Sequence, residues 1–147
     1  MEAKRLNRAA IIRTYKKMLA ITGLKQSELW VSSGSAMVLH GLRADAGDVD
    51  SGCHSDAFDK ASTALDIVST PFRANHAYIP EGTPNLIIDN MRMDILLELD
   101  ITPADLVVID GVTCYILKAL LRQKRALNRD KDQADIAALV NHLRFRN

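Results

Sequence analysis

Along residues 6–21 the apolar side chains Ile11, Ile12, Tyr15, Met18 and Leu19 recur at helical spacing, with Arg8, Arg13, Lys16 and Lys17 between them. That pattern predicts an amphipathic helix, stopped by Gly23. Leu29-Trp30-Val31-Ser32 is short and β-prone and runs straight into Ser33-Gly34-Ser35, after which residues 36–40 are strong helix formers closed by Gly41. The order is strand, tight turn, short helix. Asp48-Val49-Asp50 alternates polar with apolar, as a half-buried strand does. A helix is predicted over 54–64, with Ser55 or Asp56 able to cap it. Strand-like pieces follow at 65–69, 77–79 and 86–89, punctuated by Pro71, Pro80, Gly82 and Pro84. Residues 91–99 form the clearest strand, with Met91, Met93, Ile95, Leu97 and Leu99 on one face and Arg92, Asp94, Leu96 and Glu98 on the other. Residues 106–109 read as a further strand before Gly111, and two helices, about 113–128 and 131–143, close the chain. The fold class expected is α+β (mixed α/β).

Length and composition narrow this picture without changing it. The 147 residues suit one domain, and no repeat, low-complexity stretch or linker divides 1–147. Nearly half the residues are apolar (48%) and a quarter charged (25%), the balance of a soluble globular protein. A formal charge of +1 demands no nucleic acid, so any steering must come from local patches. Cys53 and Cys114 show no ligand spacing and read as reduced thiols of a cytoplasmic protein. The basic start is followed by no signal-like apolar region, because Arg13 interrupts Ile11-Ile12, and no apolar run is long enough to span a membrane.

The candidate chemistry lies in the order of a few residues. A Gly34-Ser35 turn opening a helix can receive phosphate on its backbone N–H groups. Asp48 and Asp50, two apart on a strand, project to the same side, and Asp94 faces away from its apolar neighbours. Carboxylates and phosphates are what magnesium prefers, and two such ions roughly 3.5–4 Å apart can clamp an in-line displacement. Taken singly, an Asp-x-Asp pair is usually a pair of solvated acids and a Gly-Ser a plain helix cap. The succession strand, Gly-Ser, helix, acid pair, third acid favours a site for a nucleoside triphosphate and its metal.

Gly34-Ser35-Ala36-Met37-Val38-Leu39-His40-Gly41-Leu42-Arg43 followed by Asp48-Val49-Asp50 resembles the signature of the minimal DNA-polymerase-β-like nucleotidyltransferases. Leu117-Lys118, Arg129-Asp130-Lys131-Asp132 and Asp135-Ile136 are similar to elements of one branch, the AbiEii-type toxins of bacterial abortive-infection systems. The resemblance spans about residues 30–139. It implies a mixed sheet flanked by helices, and transfer of a nucleoside monophosphate from a triphosphate such as ATP to an acceptor hydroxyl on an RNA end such as a tRNA, on a protein or on a small molecule. It also implies that Gly34 and Ser35 bind phosphate, that Asp48 and Asp50 ligate two magnesium ions (or manganese), and that Asp94 completes the catalytic metal site and assists the acceptor hydroxyl. Lys118 would neutralise the triphosphate, with Arg43 and Arg129 as further nucleotide-binding residues. The chain departs from the pattern at Ser51, where an apolar residue is usual, and at Ala46 and Gly47, where polar residues are frequent. The helical specificity domain of larger relatives has no counterpart here.

Other readings stand beside this one. Lys118, Arg122, Arg125 and Arg129 follow one helical stripe, either a solvated face or a basic rim for a triphosphate or an RNA backbone. Arg43 serves phosphate or a helix C-terminus equally well, His40 reads as a packed or capping histidine, and Trp30 as core. Cys53-His54 alone lacks the ligands for zinc. The amphipathic first helix offers a packing surface for an oligomer. The rivals to transfer are a catalytically silent module binding nucleotide, RNA or protein, and metal-assisted hydrolysis.

Overall fold

The computed structural model describes residues 5–65, 85–88 and 91–145; the strand-like pieces expected at 66–69 and 77–79 lie outside them. The first helix, α1 (Arg8–Thr22), starts where the Asn7 side chain accepts the Ala10 N–H and stops at Gly23, whose φ of 73° suits glycine. Strand β1 (Trp30–Ser32) leads without a break into α2 (Ser33–Leu39). There follow β2 (Val49–Cys53), α3 (Ser55–Leu65), β3 (Asn85–Ile88), β4 (Met91–Leu97), β5 (Leu106–Ile109), β6 (Val112–Tyr115), α4 (Leu117–Leu127) and α5 (Gln133–Arg144). The six strands form one sheet in the order β3-β4-β2-β1-β6-β5. The pairs β1/β6 and β2/β4 are parallel and the other three antiparallel, so the sheet is mixed and the α+β class is the observed one. No helix among the described residues is long and apolar enough to cross a membrane.

Register divides the two faces. Val31 lies opposite Ser51 and Cys114, Ser51 opposite Ile95, and Val49 opposite Met93, so these residues share one face. All of them are buried, in a core that also takes Ile11, Tyr15 and Met18 of α1. The other face carries a row across three strands, with Ser32 opposite Asp50 and Asp50 opposite Asp94. Further along that face the Glu98 carboxylate accepts hydrogen bonds from Trp30 Nε1 (2.8 Å) and the Tyr115 hydroxyl (2.6 Å). A Cβ at Gly52 would stand 1.8 Å from Glu98 Oε1, so the glycine makes room for the carboxylate.

Three elements differ from the sequence expectation. The helix expected from 113 begins at Leu117, because Val112–Tyr115 is strand β6, filling the place between β1 and β5. Asp110 and Gly111, at φ 49° and 80°, make the two-residue turn that returns the chain antiparallel to β5. Helix α2 begins at Ser33 rather than at 36, and Leu65 closes α3 instead of opening a strand. On β4 the apolar alternation holds at Met93 and Ile95, both fully buried, but lapses where the chain leaves the core: Leu97 is 46% and Leu99 66% exposed.

Candidate active site

Asp50 on β2 and Asp94 on β4 are directly paired in the parallel ladder, and Asp48 immediately precedes β2. One oxygen from each of the three carboxylates lies within 4.8 Å of the other two. Asp94 is fully buried, whereas Asp48 and Asp50 keep partial access to solvent. Burial, then the charges of Asp48 and Asp94, push the Asp50 carboxyl up to about 7, against the opposing pull of the Lys124 ammonium and a hydrogen bond from Ser33. Carboxylates held this close repel one another unless a cation or proton lies among them. An all-oxygen donor set of this kind fits magnesium or manganese, and lacks the thiolates and imidazoles that favour zinc.

Asp48 and Asp50 open on a cleft of about 410 Å³ that is also lined by Ser33, Gly34, Arg43, Lys124, Arg129 and Asp132. Gly34 faces it: a Cβ there would come 2.8 Å from the Arg43 guanidinium. The adjoining serine has another task. Ser35 is buried and its hydroxyl donates to the Asp48 carbonyl at 2.5 Å, fixing the loop that carries the first acid, while Ser33 takes the position in the cleft. Arg43 lies 3.6 Å from Asp135.

Lys118 does not reach this cleft. It is exposed on the far side of α4, in a groove with His40, Val107, Ile109, Ile116, Leu117 and Leu143. The lysine that enters is Lys124, because six helical residues turn the side chain through roughly 240° about the axis. Lys124 is buried, with its ammonium 3.2 Å from Asp135, 3.5 Å from Asp132 and 3.4 Å from the Ser33 hydroxyl. Sequence reasoning missed it because Lys118 and Lys124 sit in the same basic stretch. The available signal was the run Lys131-Asp132 and Asp135, which supplies its counter-charges.

Arg129 lies beyond the end of α4, outside the stripe expected of it, and donates to Asp132 at 2.7 and 2.9 Å. Burial alone would raise the Asp132 carboxyl; the side-chain and backbone hydrogen bonds from Arg129 and the charge of Lys124 overcome it and hold the group down at about 2. Arg122 pairs instead with Asp105 at 3.1 Å, away from the cleft. The departures from the sequence pattern also have local reasons. Ser51 is buried and donates to the Asp94 carbonyl at 2.6 Å, tying the two acid-bearing strands together. Ala46 exchanges both backbone hydrogen bonds with Leu6, at 2.8 and 2.9 Å, anchoring the approach to the acids. Of the remaining residues weighed, Trp30 is in the core, and His40 Nε2 lies 2.7 Å from the Tyr115 carbonyl. The Cys53 thiol is pushed up to about 12 by burial, and His54 Nε2 bonds the Ile101 carbonyl at 2.7 Å.

A mixed sheet flanked by helices, with paired acids on two parallel strands beside a strand that runs directly into a helix, is an architecture that solved structures share. A candidate nucleotidyltransferase of Thermotoga maritima superposes with a TM-score of 0.61 at 13% identity, over 97% of this chain and 99% of that one. ANT(2″)-Ia, solved in complex with adenylyl-2″-tobramycin, gives 0.56 at 12% identity over 92% and 89%. The Helicobacter pylori protein JHP933 gives 0.53 at 14% identity, covering 88% of this chain and 66% of that one. No protein-family model matches the chain, and no curated protein matches it by sequence.

Proposed function

We propose that this protein is a metal-dependent nucleotidyltransferase, which moves a nucleoside monophosphate from a nucleoside triphosphate to an acceptor hydroxyl and releases pyrophosphate. The observation that carries this reading is the convergence of Asp48, Asp50 and the buried Asp94 within 4.8 Å, with Asp48 and Asp50 lining a cleft that Arg43, Lys124 and Arg129 also line. Acids and cations facing one cleft are what a triphosphate with its metal requires. Asp48 and Asp50 would hold two magnesium or manganese ions and Asp94 one of them; bound there, the metal supplies Lewis-acid charge to the phosphate oxygens. Gly34, having no side chain, lets the phosphates approach the backbone. Lys124, in the role expected of Lys118, compensates the triphosphate charge together with Arg43 and Arg129. Asp94 would assist deprotonation of the acceptor hydroxyl. Likeness in fold to ANT(2″)-Ia, whose complex contains an adenylylated tobramycin, supports a hydroxyl acceptor. The Lys131-Asp132 and Asp135 elements support the AbiEii-type branch; the acceptor would be a tRNA end, a protein hydroxyl or a small molecule.

A second reading is favoured by the ion pairs. Arg43, Lys124 and Arg129 already have carboxylate partners within the chain, in Asp135 and Asp132. A module that binds without turnover would tolerate such self-neutralised cations. Calorimetric titration with each nucleoside triphosphate, with and without magnesium, separates the possibilities. Metal-dependent binding by the wild type that is lost in the Asp48→Asn/Asp50→Asn variant, with product formed from candidate acceptors, is the result expected for a transferase. Binding with no product supports the silent module, and free pyrophosphate without an adduct supports hydrolysis. No binding by a folded wild type overturns the transferase and leaves only a module for RNA or a protein partner.

A further inference from the structure

Ser33 stands in the cleft with a backbone φ of 56°, in the left-handed region that side-chain-bearing residues rarely adopt. Glycine would fit that conformation without strain, yet the glycine of this turn is the next residue, Gly34, placed where the Arg43 guanidinium leaves no room for a Cβ. A serine therefore persists at the strained position, and strain of this kind lasts only where the surroundings enforce it. They do so through α4. The Ser33 N–H donates to the side-chain oxygen of Gln123 at 3.0 Å, and the Ser33 hydroxyl accepts from the ammonium of the adjacent Lys124 at 3.4 Å. Asp50 lines the same cleft, and that hydroxyl favours its charged form.

Building on the function proposed above, we infer that Gln123 is a positioning residue, which holds Ser33 in its left-handed conformation so that the Ser33 hydroxyl stands between Lys124 and Asp50. The hydroxyl stands between a cation and an acid of the cleft, and Gln123 sets its direction without touching the triphosphate. Two consecutive residues of α4 thus grip one residue of the β1–α2 junction, one by its backbone and one by its side chain.

The test is a double-mutant cycle of Ser33→Gly and Gln123→Leu, read in two ways: folding equilibrium by urea titration, and affinity for manganese with ATP, GTP, CTP and UTP in turn. Ser33→Gly relieves the strain while removing the hydroxyl, so it is expected to raise the folding equilibrium constant several-fold and to weaken manganese–triphosphate binding by about tenfold. Gln123→Leu is expected to weaken binding by a similar factor, and the combined variant to bind no worse than either alone, because both changes act through one hydroxyl. Its cost to folding is expected to be about tenfold in the Ser33→Gly background, where the glycine N–H keeps the Gln123 bond and no strain is released on losing it, and smaller in the wild-type background, where freeing Ser33 recovers part of the strain. Equal folding costs in both backgrounds, or additive losses of affinity, would overturn the inference. Ser33→Ala keeps the strain and lacks the hydroxyl, so wild-type affinity in that variant would also overturn it. If the folded wild type binds none of the triphosphates, the proposed function fails and the hydroxyl's part falls with it. The folding cycle still decides whether Gln123 holds Ser33.

Discussion

At the scale of single residues, the clearest tension is between Asp50 and Asp132, whose environments move them in opposite directions. Burial and neighbouring acids push Asp50 up to about 7, so it destabilises the metal-free fold progressively as pH rises from the ordinary carboxylate range through 7. A metal must displace the proton shared there. Manganese affinity should therefore be flat above pH 7 and fall about tenfold for each pH unit below it, a slope that titration calorimetry can read. A pH-independent affinity between 5 and 7 would contradict that environment for Asp50. Asp132 works the other way. Despite its burial, Arg129 and Lys124 hold it at about 2, so its contribution of about 2 kcal/mol is present above the unfolded carboxylate pKa near 3.8 and disappears as pH falls through 2. Asp132→Asn should accordingly destabilise the protein at pH 7 by about that amount, in urea titrations, and progressively less towards pH 2. Lys124 and Lys118 give a second contrast. Lys124→Met leaves buried Asp132 and half-buried Asp135 without their shared cation and should cost about 3 kcal/mol, whereas Lys118→Met on the exposed side of the same helix should change stability by less than about 0.5 kcal/mol.

At the scale of elements, the sheet fixes the acids by register rather than by their own contacts. Asp50 meets Asp94 because β2 and β4 run parallel with those residues aligned, and Ser51 locks the alignment by donating to the Asp94 carbonyl. Slipping the register by one residue would send both acids to the core face. The other end of that face has its own lock. Trp30, Tyr115 and Glu98 come from three different strands or strand ends, and burial raises the Glu98 carboxyl in spite of the two hydrogen bonds it accepts. Gly52→Ala would drive a methyl group into Glu98 Oε1 and Trp30 Nε1, at 1.8 and 2.6 Å, and should cost about 2–3 kcal/mol in urea unfolding. A neutral result would mean that the Glu98 cluster does not hold these strands together. Helical periodicity and caps made α1, α3 and α5 readable in advance, and polar–apolar alternation did the same for the central strands. The β6 strand was not readable, because Val112–Tyr115 is followed directly by a helix and local preference does not separate the two. What decides in favour of a strand is the vacancy between β1 and β5, a property of the assembled sheet.

At the scale of the whole molecule, the cleft is assembled from distant parts of the chain. Its acids come from β2 and β4, its glycine from the β1–α2 junction, and its buried lysine from α4, which packs against α2 and α5. Nucleotide binding would bridge these parts, so magnesium with a preferred triphosphate should slow amide hydrogen exchange in both Ser33–Leu39 and Leu117–Leu127. Protection confined to one of the two helices would separate the α4 wall from the site.

The sequence by itself determined the α+β class and singled out Gly34, Ser35 and the three acids as candidates, because short-range spacing carries helical and strand periodicity and because an Asp-x-Asp pair on a strand faces one side. It also brought Arg43 and Arg129 into consideration. It did not distinguish Lys124 from Lys118, or Ser33 from Ser35. Those choices depend on which side of α4 packs towards α2, and on a left-handed residue that local preference disfavours. Only the tertiary structure decided them, since a buried charge needs Asp132 and Asp135 brought against it, and a strained backbone needs a partner such as Gln123 from another element to hold it.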